Sequence, residues 1–117
     1  MTSVMIVDDN DAFREECANL LRDNGFEVSQ AVNGQDAVHR FRMDATDAVI
    51  LDLDMPVWDG IRAAQVLSTL DPRVRVIFMS GDPVKLKSAA EQVGLSLICL
   101  PKTIDPNKLI SLIKVLS

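Results

Sequence analysis

Three features of the sequence predict an α/β fold, an open parallel sheet covered by helices on both faces. Five short strand-like stretches, at residues 3–7, 26–31, 48–51, 74–79 and 95–100, are each followed by a stretch with helical spacing of apolar side chains. The loops between them are short, with no repeat, linker or low-complexity segment. The third run, Ala48 to Leu51, contains no polar residue, as a strand buried on both faces requires. Strictly alternating strands and helices imply right-handed crossovers. For five strands the expected order is 2-1-3-4-5, the flavodoxin-like (βα)5 doubly wound arrangement.

Each element has its own signals. The first run ends at Asp8-Asp9, and residues 11–24 place Phe13, Cys17, Leu20 and Leu21 on one helical stripe. Asn10 or Asp11 is suited to cap that helix and Gly25 to end it. Residues 26–31 alternate in polarity, as expected of a sheet edge, and Asn33-Gly34 turns into a helix carrying Ala37, Val38 and Phe41. After the third strand, Met55-Pro56 and Asp59-Gly60 turn the chain into a helix over 59–70, with Ala63, Val66, Leu67 and Leu70 on one face. Asp71-Pro72 breaks it. The fourth strand stops at Ser80-Gly81, and Asp82-Pro83 opens a helix with the stripe Leu86, Ala89, Ala90 and Val93, closed by Gly94. The fifth strand ends at Pro101-Lys102, and Asp105-Pro106 starts a last helix with Leu109, Leu112, Ile113 and Leu116 inward. Ile110 and Val115 fall beside that stripe and read as an ordinary scatter or as a dimer or target surface.

Composition narrows the function. A chain of 117 residues is large enough for one domain with a core that needs no staples. Twelve basic against seventeen acidic residues give a net charge of −5, which argues against non-specific nucleic-acid binding. No polybasic helix suits a membrane surface, no apolar run approaches a membrane span, and the first ten residues do not read as a secretory leader. Cys17 and Cys99 fall in core elements and read as reduced, buried thiols. A cytoplasmic protein is expected.

The polar residues are not scattered. Asp8, Asp9, Asp52, Ser80 and Lys102 all follow the carboxyl ends of predicted strands, and the first and third strands flank the topological switch point where such sheets bind ligands. Carboxylates crowded there repel one another, by roughly 4 kcal/mol per pair at about 4 Å and an effective dielectric of 20. A hard divalent cation, Mg2+ above all, would offset this and leave room for a phosphate oxygen. Lys102 offers a point charge and Ser80 a hydroxyl donor. No His/Cys set suggests zinc, and no glycine-rich loop suggests a nucleotide cradle. The set suits transfer of a phosphoryl group onto a carboxylate, by positioning and charge neutralisation.

With VDD at 7–9, LDLDMPVWDG at 51–60, MSG at 79–81 and PK at 101–102, essentially the whole chain resembles the receiver domain of two-component response regulators. The resemblance implies that Asp52 accepts a phosphoryl group from a sensor histidine kinase or a histidine phosphotransfer protein. It implies that Asp8 and Asp9 hold Mg2+ with Asp52 and the backbone carbonyl of Asp54. Ser80 then matches the switch hydroxyl and Lys102 the lysine that pairs with the phosphoryl group. The activated surface would lie on the last two helices and the strand between them, facing a downstream protein target, with room for a homodimer through the last helices. Residues 1–117 then form a single receiver domain with no output domain, a signalling switch that promotes only its own phosphorylation and dephosphorylation. It either acts alone, as a shuttle, sink or regulator, or belongs to a longer protein.

The chain departs from the family pattern in three ways. Cys99 stands where an aromatic switch residue is common. The usual Lys-Pro is Lys102-Thr103, so this bond is either trans, with the lysine reaching differently, or cis at a cost of about 2.5–4 kcal/mol. Asp54 and Asp82 place acids two residues beyond Asp52 and Ser80, where they are expected to flank the phosphoryl group and alter its lifetime. His39 reads as a solvated helix residue, and Trp58 as loop cover or part of a partner-facing patch.

Two rival readings come from other classes. LDLDM resembles the Asp-x-Asp motif of haloacid-dehalogenase-like phosphatases, which would make the chain a Mg2+-dependent aspartyl-phosphate phosphohydrolase. There, however, the motif ends the first strand and Thr or Val follows it. A flavodoxin-like flavin binder is disfavoured because an acidic first loop repels a bare phosphate.

Overall fold

The structure, a computed structural model, describes residues 2–55, 60–93 and 98–116, without the side chains of Ala89, Ala90, Gln92 and Val93. The expectations for Pro56, Trp58, Asp59, Gly94, the first residues of the fifth strand and the inner stripe at 89, 90 and 93 lie outside the described residues. The elements are β1 (Ser3–Val7), α1 (Asp11–Asp23), β2 (Glu27–Ala31), α2 (Gly34–Met43), β3 (Ala48–Asp52), α3 (Gly60–Leu70), β4 (Arg75–Ser80), α4 (Pro83–Val93), β5 (Ile98–Pro101) and α5 (Pro106–Leu116). All strand pairings are parallel, and the order is β2-β1-β3-β4-β5, as the alternation predicts.

Strand side chains alternate between the two faces, and each face has its own core. Met5, Val7, Val49, Leu51 and Phe78 pack against Ala37 and Phe41 of α2 and Ala63 and Leu67 of α3, with Leu86 of α4 partly buried at the margin. Val4, Ile6, Ile50, Ile77 and Met79 point the other way, onto Cys17, Ala18 and Leu21 of α1 and Leu109, Ile110 and Ile113 of α5. The central strand β3 is buried along its whole length, which explains why Ala48 to Leu51 carry no polar side chain before Asp52 ends it.

Local signals act as expected at most boundaries. Asn10 caps α1 by accepting from the Phe13 amide at 3.0 Å, and Asn33 caps α2 by accepting from Asp36 at 2.7 Å. Gly25 adopts φ +89°, the left-handed conformation that ends α1. Three apolar assignments differ. Ile110 is 5% exposed and belongs to the core, because it faces the β-sheet together with Leu109 and Ile113; Leu112 is only partly buried. Leu70, at the end of α3, is 40% exposed.

Candidate functional site

The strand register aligns the carboxyl ends of β1, β3 and β4 and so assembles the site. Val7 pairs with Leu51, Asp52 with Met79, and Ser80 with Pro101. Backbone bonds extend this order past the strands: Asp8 N–H donates to the Ala31 carbonyl at 3.2 Å, Leu53 N–H to Met79 at 2.9 Å, and Lys102 N–H to Ser80 at 3.0 Å. One carboxylate oxygen from each of Asp8, Asp9 and Asp52 lies within 4.8 Å of the other two. Asp8 and Asp52 are each 2% exposed, whereas Asp9 is open to solvent.

Each carboxylate is held by its own loop. Asp8 Oδ1 accepts from the Asn10 amide at 2.9 Å, and Asp52 Oδ1 accepts from the Asp54 amide at 2.9 Å. Lys102 Nζ lies 3.2 Å from Asp8 Oδ2 and 3.3 Å from Asp52 Oδ1, bridging the pair, and sits 4.9 Å from the centroid of the Phe13 ring. The Lys102–Thr103 bond is trans, and the lysine reaches both carboxylates from it. Asp52 Oδ2 is buried without a hydrogen-bond partner. A buried anionic oxygen left unpaired is costly, so this atom is the natural seat for an incoming cation or electrophile.

Electrostatics follow from this crowding. Burial pushes the Asp52 carboxyl up to about 6; the Asp54 amide pulls against it, the Asp8 charge adds to it, and Lys102 opposes it. Burial works against the Lys102 ammonium, yet the neighbouring Asp52 and Asp8 carboxylates outweigh it and raise its pKa above the ordinary lysine value. Cys17, close by in α1, is pushed up to about 11 by burial and by Asp8, which leaves it an unreactive thiol. Both cysteines are free, and Cys99 is only partly buried.

Ser80 sits at the end of β4, fully buried, but its hydroxyl does not face Asp52. It donates to Asp54 Oδ1 at 2.9 Å and accepts from the Asp82 amide at 2.9 Å. The Asp54 carboxylate also accepts from the Gly81 amide at 3.3 Å and lies 3.1 Å from Lys85 Nζ. Burial alone would raise the pKa of Asp54; the Ser80, Lys85 and Gly81 donors outweigh it and hold the value low. Thus the Asp54 side chain stands apart from the three clustered carboxylates. The Asp82 carboxylate accepts from the Val84 amide at 2.9 Å and caps α4.

Two contributors escape a reading of the sequence. Arg14 in α1 is buried, and its guanidinium donates to the Asp8 carbonyl at 2.8 Å, to Gln30 Oε1 at 3.0 Å and to Asp11 Oδ1 at 2.7 Å, bracing the acidic loop against β2. Its three-residue spacing from Asp11 is the one signal the sequence offers. Gly60 opens α3 so close to β3 that a Cβ there would lie 3.0 Å from the Asp52 carbonyl oxygen and 3.1 Å from Leu53 Cδ2.

Comparison with known proteins agrees with the fold. Residues 4–114 match the model of the response regulator receiver domain. A response regulator receiver protein of Anaeromyxobacter is 34% identical over 96% of this chain and 47% of its own length. The chemotaxis protein CheY of Bacillus subtilis is 37% identical over 66% of the chain and 65% of its own length. The chain therefore spans about half the length of the first of these relatives. Among solved structures, Vibrio cholerae CheY4 superposes with a TM-score of 0.88 at 25% identity, covering 100% of this chain and 99% of its own. TrrA of Thermotoga maritima, in complex with Mg2+-BeF, gives 0.87 at 24% identity over the full length of both chains. With the family model matched over nearly its whole length and the same strand order observed, the chain belongs to the receiver domains of two-component response regulators.

Proposed function

We propose that the chain is a phosphorylation-dependent signalling switch in which Asp52 takes a phosphoryl group from a phosphohistidine donor, a sensor histidine kinase or a histidine phosphotransfer protein. The observation that carries this reading is the unpartnered, buried Asp52 Oδ2 beside two further carboxylates and a bridging lysine. In the transfer, an Asp52 carboxylate oxygen forms a bond to phosphorus while the P–N bond to the donor imidazole breaks, its electron pair leaving with the ring. The Asp54 amide fixes Asp52 Oδ1 throughout. Lys102 Nζ has N–H donors to turn from the carboxylates to a phosphoryl oxygen. Ser80 can do the same once its hydroxyl is released.

The carboxylates fit a hard divalent cation: three donor oxygens converge, Asp52 also carries an orphaned oxygen, and no nitrogen or sulfur ligand is among the three. Asp8, Asp9, Asp52 and the Asp54 backbone carbonyl would hold Mg2+. When bound, it supplies the positive charge that lets an anionic donor approach. The chain then serves as a receiver unit that acts only on its own phosphorylation. Its altered surface lies near α4, β5 and α5, where a downstream protein, or a second copy, would dock.

Incubation with Mg2+ and acetyl phosphate tests the reading. Here acetate leaves as the P–O bond breaks. Intact mass should show one added phosphoryl group, absent from Asp52→Asn. Repeated hydrolysis of a simple phosphate ester, without a stoichiometric adduct, would favour the phosphohydrolase instead.

A further inference from the structure

The Ser80 hydroxyl has one proton, and Asp54 holds it. The hydroxyl donates it to Asp54 Oδ1 at 2.9 Å. The hydroxyl also accepts from the Asp82 amide, so its hydrogen bonds point along the loop and not toward Asp52. The second Asp54 oxygen takes the Gly81 amide, and Lys85 in the first turn of α4 closes on Oδ1. A carboxylate thus occupies two neighbouring donors at the end of β4, one strand from Asp52.

We propose that the Asp54 carboxylate is an internal stand-in for the phosphoryl group: it occupies Ser80 and Gly81 in the unphosphorylated chain, ties them to α4 through Lys85, and must be displaced when Asp52 is phosphorylated. This rests on the switch function proposed above. A phosphoryl group on Asp52 is an anion that needs the same donors and repels the carboxylate holding them. When Ser80 turns to the phosphoryl group, Asp54 loses its shortest neutral bond, and the ion pair it shares with Lys85 loses its anchor. Both partners of that pair are substantially exposed, with side chains 30% and 51% accessible, so the contact is weak enough to yield. The signal leaving the site is therefore the release of the first turn of α4. Asp54 sets how readily that happens.

Amide hydrogen exchange at Val84 and Leu86, read by NMR with Mg2+ present, tests the latch. Both amides bond to Asp82 at the start of α4. In unphosphorylated Asp54→Ala, exchange should rise by more than the roughly threefold expected for losing one exposed ion pair alone, and approach that of the phosphorylated wild type. Lys85→Gln, which leaves Ser80 held, should give a smaller rise. Should Asp54→Ala fail to fold, Asp54→Asn reads the same loss of charge with near-identical shape. If wild type takes one phosphoryl group on Asp52 but the Asp54 variants exchange as unphosphorylated wild type does, the latch is wrong and the switch stands. If wild type takes none, both fall.

Discussion

At the scale of single residues, Asp52 carries the sharpest prediction. Its folded pKa, raised by burial to about 6, lies above the ordinary value of 3.8. Folding therefore favours the protonated form. The stabilisation this gives is complete below 3.8 and is lost as pH climbs through about 6, so at neutral pH and without metal the ionised group opposes folding. Asp52→Asn keeps the shape and removes the charge. In the presence of a chelator it should match wild type below about pH 4 and exceed it by about 1–2 kcal/mol at pH 7, after allowance for screening at the crevice mouth. Urea denaturation at both pH values measures this; a variant no more stable than wild type at pH 7 would refute the charge conflict. Asp8, Asp9, Asp52 and Lys102 were legible because each lies at or just past the carboxyl end of a strand, where the backbone itself dictates position. Arg14 was not, since a charged helix residue is read as solvated unless its partners are known. Nor was the contact of Asp54 with Lys85, which joins the loop after β3 to the first turn of α4 by a side-chain choice that no spacing encodes.

Among the elements, the join between β3 and α3 decides how Asp52 is presented. β3 is hydrogen-bonded to β1 on one side and β4 on the other, so its backbone has little freedom to move. Gly60 allows the first turn of α3 to rest against the Asp52 carbonyl. Gly60→Ala poses two opposed effects. Alanine is favoured in helices by up to about 1 kcal/mol, but a Cβ at 3.0 Å from a backbone oxygen that cannot retreat strains the contact. Overpacking of this kind costs about 1–3 kcal/mol. Strain should win: we expect a net loss near 1 kcal/mol by denaturant titration, together with slower labelling of Asp52 by acetyl phosphate. A stabilised variant with unchanged labelling would show that α3 shifts freely. Sequence periodicity located all ten elements but misjudged faces where apolar residues crowd. In α5, Ile110 proved inward and Leu112 marginal, because Leu109, Ile110 and Ile113 together form the stripe that meets the β-sheet.

Across the whole molecule, the parallel order β2-β1-β3-β4-β5 turns residues distant in sequence into one acidic site. That topology was legible because strict alternation of strands and helices leaves few arrangements open. Its thermodynamic consequence follows from mass action. Unfolded, Asp8 and Asp9 are separated from Asp52 by two helices' worth of chain, and no shared cation site exists; folded, they converge to within 4.8 Å. Mg2+ should therefore bind the native state alone and stabilise it by about 2.7 kcal/mol at a hundredfold excess over Kd, a rise in Tm on the order of 10 °C. Asp52→Asn should begin above wild type at pH 7 without metal, since its charge conflict is gone, yet gain much less on titration, since it has lost a ligand. The two Tm curves should thus converge or cross as Mg2+ is added. Screening alone would lift both proteins alike and would be matched by sodium chloride at equal ionic strength. Parallel curves, or an equal effect of sodium, would mean that the convergent carboxylates do not act as one cation site.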